Sequence, residues 1–175
     1  MRRPEGISDF AYGIVKTHLA SMGISYEFME RPIIAVVNSW NEIVPGHAGM
    51  REIADSVKKG ILAHGGLPLE FNTIAMCDGI TQNHSGMQYP LPSRELIADS
   101  VEVMVRGHGI FDGMVMIGGC DKIVPAMLMA AARLDLPTVF ATTGTSRPLV
   151  SSSEKSKLRR SFLKGKMDER EPVFG

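Results

Sequence analysis

Four short strand-like runs, separated by apolar stretches at helical spacing, leave this chain few folds to choose from. Ile33 to Val37 is a continuous β-branched and aliphatic run, which suits a strand buried on both faces. A polar loop, Asn38-Ser39-Trp40-Asn41, follows it. From Met50 the positions Ile53, Ala54, Val57, Ile61 and Leu62 recur at helical spacing, and Gly65-Gly66 marks the stop. The unit then repeats. Leu69 to Met76 reads as a strand, a polar loop through Gln82, Asn83, His84 and Ser85 follows, and a helix begins near Ser93 with Leu96, Ile97, Val101, Met104 and Val105 as its inner stripe. Met114 to Ile117 is a third strand, and a helix runs from about Pro125, which suits a first helical position, to Leu134. Thr138 to Thr142 is a fourth strand. Strands alternating with helices over short connections predict an α/β fold: a mainly parallel sheet flanked by helices, built from successive βα units with right-handed crossovers.

The expected layout is a helical lead-in over residues 1–32 and the α/β domain over 33–144. Residues 145–175 form a linker or solvated helix leading to a region absent from this chain. Past Gly144 the sequence turns polar, from Thr145 through Ser153, and then basic from Lys155 to Lys166, with Leu158, Phe162 and Leu163 as its few apolar anchors. The 19 basic residues balance the 19 acidic ones. This gives no global charge excess for a nucleic-acid surface or an acidic membrane leaflet. No stretch approaches the roughly 18 apolar residues of a membrane span, and no signal-like apolar segment follows Arg2 and Arg3. The expectation is a cytoplasmic chain whose partner is a small molecule or another subunit. The twelve methionines read as adaptable core packing.

The chemistry concentrates in a phrase that occurs twice. Thr73-Ile74-Ala75-Met76 runs into Cys77-Asp78-Gly79, and Met114 to Gly119 runs into Cys120-Asp121-Lys122. These are the only two cysteines. A soft thiolate beside a hard carboxylate, twice, suggests a site for two different metals. Carboxylates suit Mg²⁺, which keeps waters that substrate oxygens displace. Iron–sulfur clusters need more thiolates than two, so a shared cluster would take ligands from elsewhere, and the bland alternative is a pair of buried, packed cysteines. Lys122 also has a bland reading, as a salt-bridge partner of Asp121, although adjacent residues at a strand end rarely face each other.

Cys120-Asp121-Lys122-Ile123-Val124-Pro125-Ala126-Met127-Leu128-Met129-Ala130 closely resembles the signature of the dihydroxy-acid and sugar-acid dehydratases, the family that includes 6-phosphogluconate dehydratase. Asn38 to Ile43, Cys77 to Ile80 and Leu91 to Ser100 resemble further blocks of it in the same order. The resemblance implies a hydro-lyase that removes water from a 2,3-dihydroxy acid to give a 2-keto acid. An iron–sulfur cluster and Mg²⁺ are its implied cofactors and a homodimer its implied assembly. By resemblance Cys77 and Cys120 become cluster ligands and Asp78 and Asp121 magnesium ligands. Lys122 matches the lysine carbamylated in some members, a catalytic and metal-binding position.

Many relatives carry a cysteine after the first-loop proline. Here Pro45 is followed by Gly46 and His47, which resembles the branch with a 4Fe-4S rather than a 2Fe-2S cluster. His47 and His84 are candidate neighbours of substrate or cluster, against the alternative of plain surface histidines. Arg94-Glu95 at a helix start is either an anion contact or a structural bridge. Family members are several times longer, and the resemblance places their third cysteine and their base beyond this chain. The aliphatic blocks favour the branched-chain amino-acid enzyme over a sugar-acid enzyme. A non-catalytic remnant without a cluster is the alternative from another class, and a nucleotide-binding module lacks a Gly-x-Gly-x-x-Gly after the first strand.

Overall fold

The computed structural model describes residues 2–144 and 151–165. In chain order the elements are α1 (Asp9–Ser21), α2 (Tyr26–Met29), β1 (Ile33–Asn38), α3 (Met50–Ala63), β2 (Leu67–Asn72), α4 (Asp78–Thr81), α5 (Ser93–His108), β3 (Gly113–Gly118), α6 (Ile123–Leu134), β4 (Thr138–Thr142) and α7 (Ser152–Leu163). Among the described residues the strands form one sheet in the order β2-β1-β3-β4, and every pairing is parallel. The chain divides into two compact units, Met1–Gly144 and Thr145–Gly175.

In the first unit each face of the sheet has its own cover. Val36 and Ile117 pack with Met50 and Ala54 of α3 on one face. Ala35, Val37, Met114 and Met116 join Ile97, Ala98 and Val101 of α5 and Ile123, Ala126, Met127 and Ala130 of α6 in the larger core on the other. Ala98, Ala126 and Ala130 are fully buried there, and such small side chains allow close helix approach. Leu19 of α1 and Met29 of α2 belong to the same core. Ser8 and Ser25 start these two helices by accepting the amides of Ala11 and Phe28.

Several sequence expectations shift. β2 spans Leu67–Asn72 instead of Leu69–Met76. Its partner β1 stops at Asn38, so after the amide of Thr73 bonds the Asn38 carbonyl at 2.9 Å the ladder has no further strand to pair with. Helix α6 starts at Ile123, which puts Pro125 third in the helix, still within the first turn, where amides lack intrahelical acceptors. Leu96 is 59% and Leu62 44% exposed, so neither belongs to an inner stripe. The stripe of α5 is Ser93, Ile97, Ala98, Val101 and Val105, one position round the helix from Leu96, because α6 packs against the Ala98 side.

The second unit contributes α7, which opens with a capping box: the Ser151 hydroxyl accepts the amide of Glu154 while the Glu154 carboxylate accepts the amide of Ser151. Phe162 and Leu163 are exposed. The polar run Thr145–Val150 and the chain from Lys166 onward lie outside the described residues. Among the described residues no helix is long and apolar enough to cross a membrane.

Candidate metal centre

The strand order reverses between β1 and β3: from β1 the chain moves outward to β2, from β3 it moves the other way to β4. In open parallel sheets ligands bind beyond the carboxyl ends of the strands at such a switch point. Here those ends are stapled together. The amide and hydroxyl of Ser39 both donate to the Ile117 carbonyl, at 3.1 and 3.0 Å, and the Thr143 amide donates to the Gly118 carbonyl at 3.1 Å. The Asn38 side-chain carbonyl accepts the Trp40 amide at 3.0 Å, and the Asn41 side chain accepts the amides of Ile43 and Val44. Polar residues crowd this loop because each satisfies loop backbone that no ladder reaches.

Gly118 and Gly119 let β3 end in a confined space. A Cβ on Gly118 would come within 2.7 Å of Met127 Sδ, and one on Gly119 would overlap Thr143 Oγ1. Cys120 follows with φ +74°, a left-handed conformation that costs a residue with a Cβ about 1–2 kcal/mol. That turn folds the chain back on itself, which is why the adjacent side chains of Asp121 and Lys122 do face each other, contrary to expectation for a strand end. Lys122 Nζ donates to Asp121 Oδ2 at 2.5 Å and to Asp78 Oδ2 at 3.0 Å. Cys120 Sγ lies 3.3 Å from Asp121 Oδ1 and 3.7 Å from Asp78 Oδ1. Asp78, Cys120 and Asp121 thus offer three ligand atoms within 4.8 Å of one another.

The electrostatics are those of an ammonium bridging two carboxylates beside a thiol. Lys122 keeps the Asp121 carboxyl below its usual range, and Asp121 with Asp78 pushes the Lys122 amine above its own. Burial, then the Asp121 hydrogen bond and the Asp78 charge, push the Cys120 thiol up. Two oxygen donors around a positive centre fit Mg²⁺, and a thiol among them fits a softer metal once deprotonated. Asp121 also precedes the N-terminus of α6, whose dipole favours a carboxylate.

Residues 31–173 match the model of the dihydroxy-acid/6-phosphogluconate dehydratase N-terminal region. The chain belongs to that family. It is 50% identical over 157 residues to a dihydroxy-acid dehydratase of Pyrococcus abyssi, an overlap of 86% of this chain and 28% of the relative. Against the dihydroxy-acid dehydratase of Pyrococcus furiosus it is 58% identical over 128 residues, 73% of the chain and 23% of the relative. Against that of Desulfosudis oleivorans it is 61% identical over 126 residues, 72% of the chain and 22% of the relative. The chain therefore spans about a quarter of the length of these relatives.

The remaining candidates fall in distinct places. Cys77 is half-buried at the N-cap position of α4, next to Asp78, but its sulfur is not one of the three grouped ligand atoms. His47 is fully buried, with Nδ1 2.8 Å from the Ser39 carbonyl and Nε2 3.2 Å from that of Gly119. His84 is exposed and spends its ring on its own loop: Nδ1 accepts the Gly86 amide at 3.0 Å, which leaves Nε2 to donate to the Ile80 carbonyl at 3.1 Å. Glu95 pairs with Arg133 of α6 at 2.9 Å instead of with Arg94, whose Nε is buried without a hydrogen-bond partner among the described residues. Sequence reasoning missed the strained Cys120 and the Lys122–Asp78 pair. The Gly118-Gly119 doublet was the available signal for close backbone packing there.

Proposed function

We propose that this chain is the N-terminal, metal-binding part of a hydro-lyase that removes water from a 2,3-dihydroxy carboxylic acid to give a 2-keto acid, the reaction type of branched-chain amino-acid biosynthesis. The convergence of Asp78, Cys120 and Asp121 around Lys122, at the switch point of the sheet, carries this reading. Asp78 and Asp121 would hold Mg²⁺, and Cys120, with Cys77 and thiolates from the longer enzyme, an iron–sulfur cluster of the 4Fe-4S kind. When bound, these groups supply Lewis acidity: they favour departure of the 3-hydroxyl and stabilise charge developing beside the substrate carboxylate.

The chain's own residues prepare the site. Lys122 offsets one of the two negative charges of Asp78 and Asp121 and bridges both, so the two carboxylates sit close together with their repulsion reduced. Its ammonium stands where a divalent cation would find its oxygens. Reaction of the neutral Lys122 amine with CO₂, releasing a proton, would turn that cation into a third anionic oxygen donor. The exposed side of Asp121, 65% accessible, leaves an approach for substrate oxygens.

A chimera tests the reading. With this chain replacing the matched segment of the Pyrococcus furiosus relative, 2,3-dihydroxy-3-methylbutanoate plus Mg²⁺ should yield the 2-keto acid, and Asp121→Asn or Cys120→Ser should remove at least about two orders of magnitude of rate. A folded chimera that dehydrates only 6-phosphogluconate would assign the chain to the sugar-acid branch. One that acts on neither would support the non-catalytic remnant.

A further inference from the structure

The peptide plane that joins Gly119 to Cys120 decides how the Cys120 thiol is aimed. Its carbonyl end belongs to Gly119 and its amide end to Cys120, so fixing the carbonyl direction fixes φ of Cys120 once the rest of that residue is anchored. The anchor is α6: the Cys120 carbonyl accepts the Val124 amide at 3.3 Å. The upstream side is anchored through the Gly118 carbonyl and the Thr143 amide. What holds the intervening carbonyl is a histidine ring. His47, 0% exposed, reaches the Gly119 carbonyl with Nε2 and the Ser39 carbonyl with Nδ1, and so spans the switch-point crevice from the β1 loop to the β3 loop. A Cβ on Gly119 would lie 3.5 Å from that same Nε2, so the ring is packed against the turn as well as bonded to it.

We infer that His47 is a positioning residue: with its ring proton assigned to Nε2, the bond to the Gly119 carbonyl holds Cys120 left-handed and thereby presents Sγ to Asp78 and Asp121. This rests on the reading of Cys120 as a metal ligand only for its functional consequence; the conformational claim stands alone. A fully buried ring whose two nitrogens face carbonyls from two different strand ends has no reason to be histidine for packing alone, since an apolar residue would fill the space without nitrogens to satisfy.

Two amide substitutions separate the two arms. In His47→Asn the side-chain NH₂ takes the place of Nδ1 and keeps Ser39; in His47→Gln it takes the place of Nε2 and keeps Gly119. The experiment is NMR on the 175-residue chain, reading the strong intraresidue amide-to-Hα contact that marks positive φ at Cys120. Signals of Thr138–Thr142 serve as the check of fold. The expected result is that His47→Gln retains the Cys120 contact and His47→Asn loses it with β4 unchanged. Any other pattern, including both variants retaining the contact or both losing the fold, overturns the proposal.

Anaerobic titration with ferrous iron and sulfide, with the same variants placed in the chimera with the Pyrococcus furiosus relative that supplies the further thiolates, gives the second readout. His47→Asn should raise the iron concentration for half-loading about tenfold, with His47→Gln near wild type. A wild type that shows the NMR contact but takes up no iron would count against the metal reading of Cys120, while the NMR pattern still decides the role of His47.

Discussion

Cys120 combines a conformation that suits glycine with a thiol that faces Asp78 and Asp121. At φ +74° a glycine would relieve the strain, whereas alanine would keep it. Cys120→Gly is therefore expected to be more stable than Cys120→Ala by about 1 kcal/mol in urea unfolding, with both losing the thiol. Equal stabilities would show that the turn is unstrained. The cluster phrase was legible in the sequence as paired Cys-Asp steps. The left-handed turn was not, because φ at this cysteine is set by Val124 together with two anchors distant in sequence, Thr143 and His47. His47 was noticed for its chemistry but read against a surface alternative, since burial of a loop side chain depends on the strand ends it lies between.

Among the elements, the pairing of α3, β1 and β2 hinges on Glu70. Its carboxylate accepts the side-chain amide of buried Asn38 at 2.9 Å and the Lys58 ammonium at 2.6 Å. Glu70→Ala should cost about 1–3 kcal/mol by stranding the Asn38 donor, while Glu70→Gln, which still accepts from Asn38, should cost less. The Lys58 amine is held above its ordinary value of 10.5, first by Glu70 and then by Asp55. Its contribution is present in full below that value and fades as pH rises through the elevated folded value. Wild type should lose stability more steeply than Glu70→Gln in unfolding measured from neutral to strongly alkaline pH; parallel profiles would remove the ion pair from the account. At this scale the sequence pattern conveyed the alternation of strands and helices well, because periodicity reports burial directly. It overran β2, since Ile74 to Met76 are apolar without a strand to pair with, and it misjudged Leu96, since which flank of an amphipathic helix is covered depends on its neighbour.

For the whole molecule, a parallel sheet with a reversal between β1 and β3 brings the loops after those strands to one crevice, and the loop after β2 delivers Asp78 to the same place. Residues far apart in sequence become one group of donors. The family blocks quoted from the sequence are the segments that build this edge: Asn38 to Asn41 staple the loops, and Cys120 to Lys122 with Asp78 form the centre. The chain spans about a quarter of the length of its dehydratase relatives, and the proposed function draws the rest of the donor set from a longer enzyme. The most direct test of the metal centre is iron and acid-labile sulfide per chain after anaerobic reconstitution of the chimera with the Pyrococcus furiosus relative, carrying the present segment as wild type, Cys77→Ser or Cys120→Ser. The account predicts both elements bound in the wild type and lost in Cys120→Ser, with Cys77→Ser also impaired; binding that is undiminished in Cys120→Ser, or absent from the wild type, would contradict it.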